Sequence, residues 1–265
     1  MNWRLITDGD LPGALNMARD SAVLESVSAG VSAPTLRLYG WDPPCLTIGK
    51  HQGLDAVDLA FCRSNGVDVA RRPTGGRALL HHLELTYSLV APLGTPPLST
   101  ALPEAYRLIC SALVVACHEL GIAAELTGGE VNLRLPGPTS TVPCFEAPAE
   151  GEVVVAGRKL IGSAMRAHGG CILQHGAILL DWDGRLQAGA MGLADDSTLR
   201  PHITTLTAEL DRPVQRPDIE RAVIGGFTDI LGDSPTAGWL SANEVSRETE
   251  LTPAFSIQTT PDPDP

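Results

Sequence analysis

Seven consecutive residues, Arg71-Arg72-Pro73-Thr74-Gly75-Gly76-Arg77, hold the densest chemistry in the sequence. Paired glycines let a backbone approach a bound group closely, and the arginines around them offer forked donors suited to carboxylate or phosphate. The same stretch is compatible with a basic surface hairpin, because short motifs are weak by themselves. His81 and His82 follow, either as substrate contacts or as turn and core imidazoles. Cys144 comes after Pro143 in an irregular polar stretch, unlike Cys110 and Cys117, which fall on the apolar side of a helical pattern and read as core. Lys159 adjoins a Gly157-Arg158 turn, and the chain's other lysine is Lys50. His168, Cys171 and His175 have the spacing H-x2-C-x3-H, with Cys171 and His175 on one face of a strand. A structural zinc site normally has four ligands and no fourth has suitable spacing, so no metal is expected.

These residues have to be placed by a chain of alternating helical and strand-like patterns. Residues 12–27 read as a helix, with Leu15, Ala18 and Ala22 three and four apart. Residues 35–39 and 45–49 read as strands, 55–64 as a helix, 67–70 as a strand, and 79–91 as a strand interrupted by polar groups. The strongest helix covers 103–120, its stripe formed by Ala105, Leu108, Ile109, Ala112, Leu113, Ala116 and Leu120, with Gly121 as the stop. A polar, proline-rich connection, 127–148, carries Cys144, and a loop that long is uncommon unless it is functional. Residues 153–156, 160–164 and 171–180 form an antiparallel meander joined by Gly157-Arg158 and His168-Gly169-Gly170. Residues 216–231 return to a helical pattern, and 258–265 read as a disordered Pro/Asp tail.

With 265 residues, 43% of them hydrophobic, the chain suits one large or two small globular domains. The net charge of -12 argues against general nucleic-acid binding, which needs a basic surface. Charge is unevenly placed: residues 1–152 carry ten basic and sixteen acidic groups, 153–180 three and none, and 181–265 six and fifteen. The six cysteines lack a CxxC pair and point to a reducing, cytoplasmic setting. No signal-peptide pattern or apolar run long enough for a membrane span is expected from the sequence.

The run at 71–88, RRPTGGRALLHHLELTYS, resembles the signature of the biotin and lipoate ligase/transferase superfamily. Its form is similar to octanoyltransferases of the LipM type rather than to ATP-using lipoate ligases, whose typical pattern is RRxSGGGAVxHDxGN. Arg77 stands for the third glycine and Glu84-Leu85-Thr86-Tyr87 for the DxGN element. The resemblance extends over residues 1–235, through Asn16-Met17-Ala18, Ile48-Gly49-Lys50-His51-Gln52, Pro143-Cys144-Phe145-Glu146-Ala147-Pro148, Gly157-Arg158-Lys159-Leu160-Ile161-Gly162-Ser163-Ala164 and Leu173-Gln174-His175-Gly176-Ala177. Departures are Glu150-Gly151-Glu152, where an aromatic-Glu pair is frequent, and Met165, where Gln is common.

The resemblance implies an α+β fold, a mixed β-sheet flanked by helices as in the biotin/lipoate A/B protein ligase catalytic domain. That domain would occupy residues 1–235, with 236–265 as a C-terminal extension. It makes Cys144 an acyl-thioester nucleophile and Lys159 the cation that lowers its pKa. A thiol of pKa about 8.5 is only about 3% thiolate at pH 7, and a drop of about two units requires about 2.7 kcal/mol, within reach of one cation at about 4 Å. It places Arg71, Arg72, Thr74, Gly75, Gly76, Arg77, His81, Gly157, Gly162, Ser163, His175 and Gly176 at the substrate. The implied reaction moves an octanoyl group from acyl carrier protein to a lysine of a lipoyl domain, with the glycine-cleavage H protein as the expected acceptor. No cofactor is implied, and a monomer is the expectation for the oligomeric state, which the sequence leaves open. Two alternatives stand beside it: an ATP-dependent lipoate ligase, and a catalytically silent acyl-binding relative. Because such partners are acidic, a local positive face is expected from Arg71, Arg72 and Arg77 with Arg158, Lys159 and Arg166.

Overall fold

The computed structural model describes residues 2–55, 57–128 and 151–257. The chain runs β1 (Arg4–Leu11), α1 (Gly13–Ser28), β2 (Thr35–Trp41), β3 (Cys45–Ile48), α2 (Leu59–Ser64), β4 (Asp68–Arg71), β5 (Leu79–His81), β6 (Glu84–Pro92), α3 (Leu102–Glu119) and β7 (Glu125–Leu126). It continues through β8 (Val153–Val155), β9 (Arg158–His168), β10 (Cys171–Leu179), α4 (Gly184–Ala190), α5 (Leu206–Leu210), α6 (Arg216–Leu231), β11 (Thr236–Ala237) and α7 (Ala242–Phe255).

Eight strands form one mixed sheet in the order β11-β1-β2-β6-β10-β9-β8-β7. The pairs β11/β1 and β1/β2 are parallel, and every later neighbour is antiparallel. A second sheet, β4-β3-β5, mixes one parallel and one antiparallel pair. The period of two along a strand sorts side chains between the faces of the main sheet. Leu36, Leu38, Leu85, Tyr87, Leu89, Ile172 and Ile178 point into a core with the stripe of α3 and with Ile219, Val223 and Phe227 of α6. On the opposite face, Val90, Cys171 and Leu173 pack against Val23, Leu24 and Val27 of α1. Leu46, Ile48, Val69 and Leu80 of the small sheet make a satellite core with Cys62 and Met191.

The reading of 79–91 as one strand needs correction. The chain breaks at His82-Leu83, where Leu83 adopts φ +54°, and this kink sends β5 to the small sheet and β6 to the main one. The hairpin turn before β9 is Ala156-Gly157, one residue earlier than expected, with φ +49° and +75°. Two successive positive φ values match the right-handed twist of the flanking strands, and they leave Arg158 and Lys159 inside β9.

Helix α7 carries no strong apolar stripe, and its position is set by polar contacts. Ser241 and Glu244 form a capping box, and Arg4 donates to both Glu244 oxygens at 2.6 and 2.8 Å. Arg19 of α1 holds Glu248, and Arg247 reaches Glu25 at 2.6 Å. Beyond the helix, the Ile257 amide donates to the Val69 carbonyl at 3.0 Å, so the chain lies along the edge of β4.

Candidate active site

A cavity of about 70 Å³, partly open to solvent, lies between the two sheets. One wall is the β9–β10 hairpin, which contributes Lys159, Gly162, Ser163, His175 and Gly176; the facing wall contributes Arg72, Gly76, Leu79 and His81. Met17 and Trp41 supply apolar surface between them. Gly176 has to lack a side chain, since a Cβ there would lie 2.5 Å from the Gly162 carbonyl oxygen and 2.8 Å from Tyr87 Cε1. Behind it, Gln174 Nε2 donates to the Tyr87 hydroxyl at 2.9 Å, and Tyr87 meets Ser163 Oγ at 2.7 Å.

Lys159 is a buried residue, 1% exposed, and not a turn lysine. Its Nζ donates to Glu152 Oε1 at 2.5 Å, and Glu152 is itself buried. The side chain crosses Gly162: a Cβ on that glycine would sit 2.6 Å from Lys159 Cε. A charge this deep needs a paired carboxylate, and Glu152, read from sequence as a departure from the family pattern, is that carboxylate.

Two imidazoles border the cavity, each held between a carboxylate and a threonine. His175 Nδ1 lies 2.9 Å from Asp20 Oδ2, and its Nε2 lies 2.7 Å from Thr74 Oγ1. Asp20, on α1, also accepts from Arg37 Nη1 at 2.8 Å and from the Tyr39 hydroxyl at 3.0 Å. Burial alone would raise the Asp20 carboxyl, but the His175 hydrogen bond and the Arg37 charge outweigh it and hold the group below its ordinary value. Burial pulls His175 below the ordinary imidazole value, with Arg72 and His81 adding to the effect and Asp20 opposing it. His81 repeats the pattern: Nδ1 is 2.7 Å from Glu84 Oε1, Nε2 is 2.8 Å from Thr47 Oγ1, and the ring stacks on Trp41 at 4.0 Å between centroids.

The arginine loop is organised by its own guanidinium groups. Arg72 is buried and donates to the carbonyls of Gly75 at 2.9 Å, Arg77 at 2.7 Å and Thr47 at 3.2 Å. Arg71 donates to the carbonyls of Gly49 at 2.9 Å and Gln52 at 2.8 Å. Gly76, at φ +100°, sits against Arg72 Nη2 where a Cβ would lie 2.6 Å away. The expected cationic face is therefore corrected: Arg72 and Lys159 are buried, and Arg158 reaches Glu209 at 2.8 Å.

Of the residues singled out in the sequence, the cavity brings together Lys159, Arg72, Gly76, His81, Gly162, Ser163, His175 and Gly176. Thr74 lies fully buried behind His175. Gly75 offers its carbonyl to Arg72, Arg77 does the same, and Gly157 lies in the exposed hairpin turn. Cys144 and residues 129–150 of its connection fall outside the described residues, as does the 258–265 tail. The other five cysteines are buried free thiols. Burial pushes Cys110 and Cys117 up to about 12 and Cys62 up to about 11, which suits core residues and not nucleophiles. His168 and Cys171 pair across the β9–β10 hairpin, and both ring nitrogens of His175 are engaged elsewhere. Among the described residues, no group of three or more His, Cys, Asp or Glu could hold a metal ion. The sequence assigned no site role to Asp20, Glu84 or Glu152. A signal existed for the first: Asn16 and Asp20 are polar residues four apart within an otherwise buried helical segment.

A mixed sheet flanked by helices, with a cavity roofed by a glycine-rich loop from a side sheet, defines a catalytic domain of the biotin/lipoate ligase type. Residues 12–228 match the lipoyl protein ligase A/B catalytic domain, and the chain belongs to that family. It is 40% identical over 262 residues to a protein of Symbiobacterium thermophilum named octanoyltransferase LipM, covering 96% of this chain and 95% of the relative. A LipM octanoyltransferase of Kyrpidia tusciae is 40% identical over 257 residues, covering 93% of each chain. Among solved structures, a lipoate-protein ligase A bound with ATP superposes with a TM-score of 0.78 at 25% identity, covering 96% of this chain and 95% of that one. The bipartite lipoate protein ligase of Thermoplasma acidophilum gives 0.77 at 25% identity, over 96% and 92%. No helix among the described residues is long and apolar enough to cross a membrane.

Proposed function

We propose that this chain is an octanoyltransferase of protein lipoylation, acting through a thioester on Cys144. The Cys144 thiolate attacks the octanoyl thioester of acyl carrier protein, the new Sγ–acyl bond forms, and the carrier's phosphopantetheine thiol leaves with a proton. The amine of a lipoyl-domain lysine, with the glycine-cleavage H protein as the expected acceptor, then attacks this thioester. The amide C–N bond forms, the acyl C–S bond to Cys144 breaks, and one proton of the neutral amine passes to the departing sulfur, which returns the enzyme's thiol. A thioester is converted to an amide, so the transfer balances without ATP, and covalent catalysis separates two encounters with bulky proteins. Residues 1–235 are the catalytic unit in this reading and 236–265 an extension of it.

The observation that carries the reading is the cavity of largely apolar wall with Lys159 set in it, in a chain 40% identical to LipM octanoyltransferases over nearly its whole length. In this reading Lys159 supplies the cation that favours the Cys144 thiolate, and backbone amides near Gly75 and Gly76 receive the developing oxyanion. The ATP-bound structural relative keeps a ligase as the second reading.

One experiment separates them. The protein is incubated with octanoyl-acyl carrier protein and an apo lipoyl domain, without ATP, and all three are weighed by intact mass spectrometry. An octanoyl adduct on the wild type, absent from Cys144→Ser, and octanoylated acceptor are expected. Transfer that requires ATP and free acid, with no enzyme adduct, would replace this reading with the ligase.

A further inference from the structure

Proton positions around Asp20 follow by elimination. A carboxylate held below its ordinary titration range only accepts, and Asp20 takes Arg37 Nη1 on Oδ1 and the Tyr39 hydroxyl on Oδ2. His175 Nδ1, 2.9 Å from the same Oδ2, must then carry hydrogen. An imidazole pulled below its ordinary value by burial is neutral at pH 7, so Nε2 is bare and accepts from the Thr74 hydroxyl at 2.7 Å. Thr74 has one donor, and this geometry commits it.

The consequence reaches the glycine loop. The Thr74 carbonyl accepts from the Lys50 amide at 2.9 Å, the Gly75 carbonyl accepts from Arg72, and the Thr74 side chain is tied to His175 on the main sheet. Residues 74–76 are thus held from both sheets, with Gly76 at the cavity wall. Asp20 is anchored in turn. Arg37, which it grips, also donates to Asp8 at 2.6 Å and to Asn16 Oδ1 at 2.6 Å. All of this lies on α1, β1 and β2, away from the arginine motif in sequence.

We propose that Asp20 is a positioning residue for acyl transfer: it fixes His175 as the Nδ1–H tautomer, whose Nε2 anchors Thr74 and so sets the backbone of residues 74–76 against the cavity. The idea rests on the octanoyl-transfer reading for its effect on rate, though not for its effect on structure. Asp20→Asn keeps the shape but offers an amide donor to Nδ1. The imidazole must then protonate on Nε2 and present a donor to Thr74, which loses its acceptor. Reversing a tautomer in this way disarms proteases in which a carboxylate orients a histidine, by about 10⁴-fold. Here the histidine orients a loop and does not move the reacting proton, and the expected loss is about 10- to 100-fold.

The test has a structural arm and a kinetic arm. In protein with ¹⁵N-labelled histidine, long-range proton–nitrogen NMR should show the His175 pair as protonated Nδ1 and bare Nε2, assigned by its loss in His175→Gln. Asp20→Asn should reverse that pattern and speed amide exchange at Gly75 and Gly76. Octanoyl-enzyme formation from octanoyl-acyl carrier protein should slow by about 10- to 100-fold in kcat, with KM much less changed. Thr74→Val should match that loss, and Thr74→Ser, which keeps the donor, should recover most of it. This pair decides the matter if Asp20→Asn does not fold. A wild-type His175 protonated on Nε2 overturns the proposal, as does a Thr74→Val enzyme of undiminished rate. If the wild type forms no octanoyl adduct, the acyl-transfer reading fails, and the NMR and exchange results still confirm or reject Asp20 as the residue that sets the loop.

Discussion

Replacing Glu152 by Gln is the sharpest probe of how Lys159 acts. If the Cys144 thiolate sits about 4 Å from Lys159 Nζ in the reactive state, the cation stabilises it by about 4 kcal/mol at an effective dielectric of 20. Lys159 is paired with Glu152 at 2.5 Å. With the carboxylate on the far side of the ammonium, its charge is about 6.5 Å from the sulfur and opposes the thiolate by about 2.6 kcal/mol. The pair together therefore favours the thiolate by only about 1.6 kcal/mol, a fall of about 1.2 pH units in the thiol's pKa. Glu152→Gln removes the opposing charge and should lower the midpoint for Cys144 alkylation by about two further units, whereas Lys159→Ala should raise it. The assay is the rate of iodoacetamide labelling at Cys144 between pH 5 and 10, read by peptide mass. Gln keeps a carbonyl acceptor for the ammonium, so the stability cost should be about 1–3 kcal/mol rather than the about 3–5 of an unpartnered buried charge. Urea unfolding of the same samples checks that labelling reports the folded enzyme. A midpoint that shifts with Lys159→Ala but not with Glu152→Gln would refute the claim that the carboxylate tempers the lysine. A midpoint that responds to neither removes Lys159 from the activation of the thiol.

Gly176→Ala should destabilise the protein by about 1–3 kcal/mol in urea unfolding, because its Cβ meets the backbone of Gly162 and the Tyr87 ring in a packed wall. Octanoyl-adduct formation should fall with it. His175 gives a pH dependence of definite sign: its folded value lies below the ordinary 6.5, so the unfolded chain takes up the proton first as pH falls. The stability it contributes is complete above about pH 6.5 and declines below it. His175→Gln should therefore show a smaller drop in urea midpoint between pH 7.5 and 5.5 than the wild type, and an equal drop would show that His175 is not buried as a neutral ring.

Local pattern carried much of the fold. The stripe of α3 was legible because seven apolar residues recur at spacings of three and four, and the β8–β10 meander because glycine turns separate runs of β-branched and aliphatic residues. β1 was missed since RLITDGDL is mostly half-exposed and polar, and it becomes a strand by parallel pairing with β2 and β11. Helix α7 was missed for a similar reason: its docking relies on Arg4, Arg19 and Glu25, more than 200 residues away. Propensity and period are short-range signals, and neither element owes its place to them.

The site divides along the same line. The glycine-arginine run and the β9–β10 segment were legible as chemistry because backbone constraint and residue type coincide there. Their partners were not, since a buried cation or imidazole needs a counter-group close in space and at no fixed distance in sequence. Lys159 and Glu152 are seven residues apart, His81 and Glu84 three, His175 and Asp20 one hundred and fifty-five. What can be inferred from sequence is the obligation itself: Lys159, if it belongs to an apolar-walled cavity, must be matched by a carboxylate to remain charged there. Lys159, His81 and His175 each have an acidic partner of this kind, whereas Arg71 and Arg72 of the glycine loop donate to backbone carbonyls. Asp20, Glu84 and Glu152, to which the sequence assigned no site role, occupy those positions in this fold.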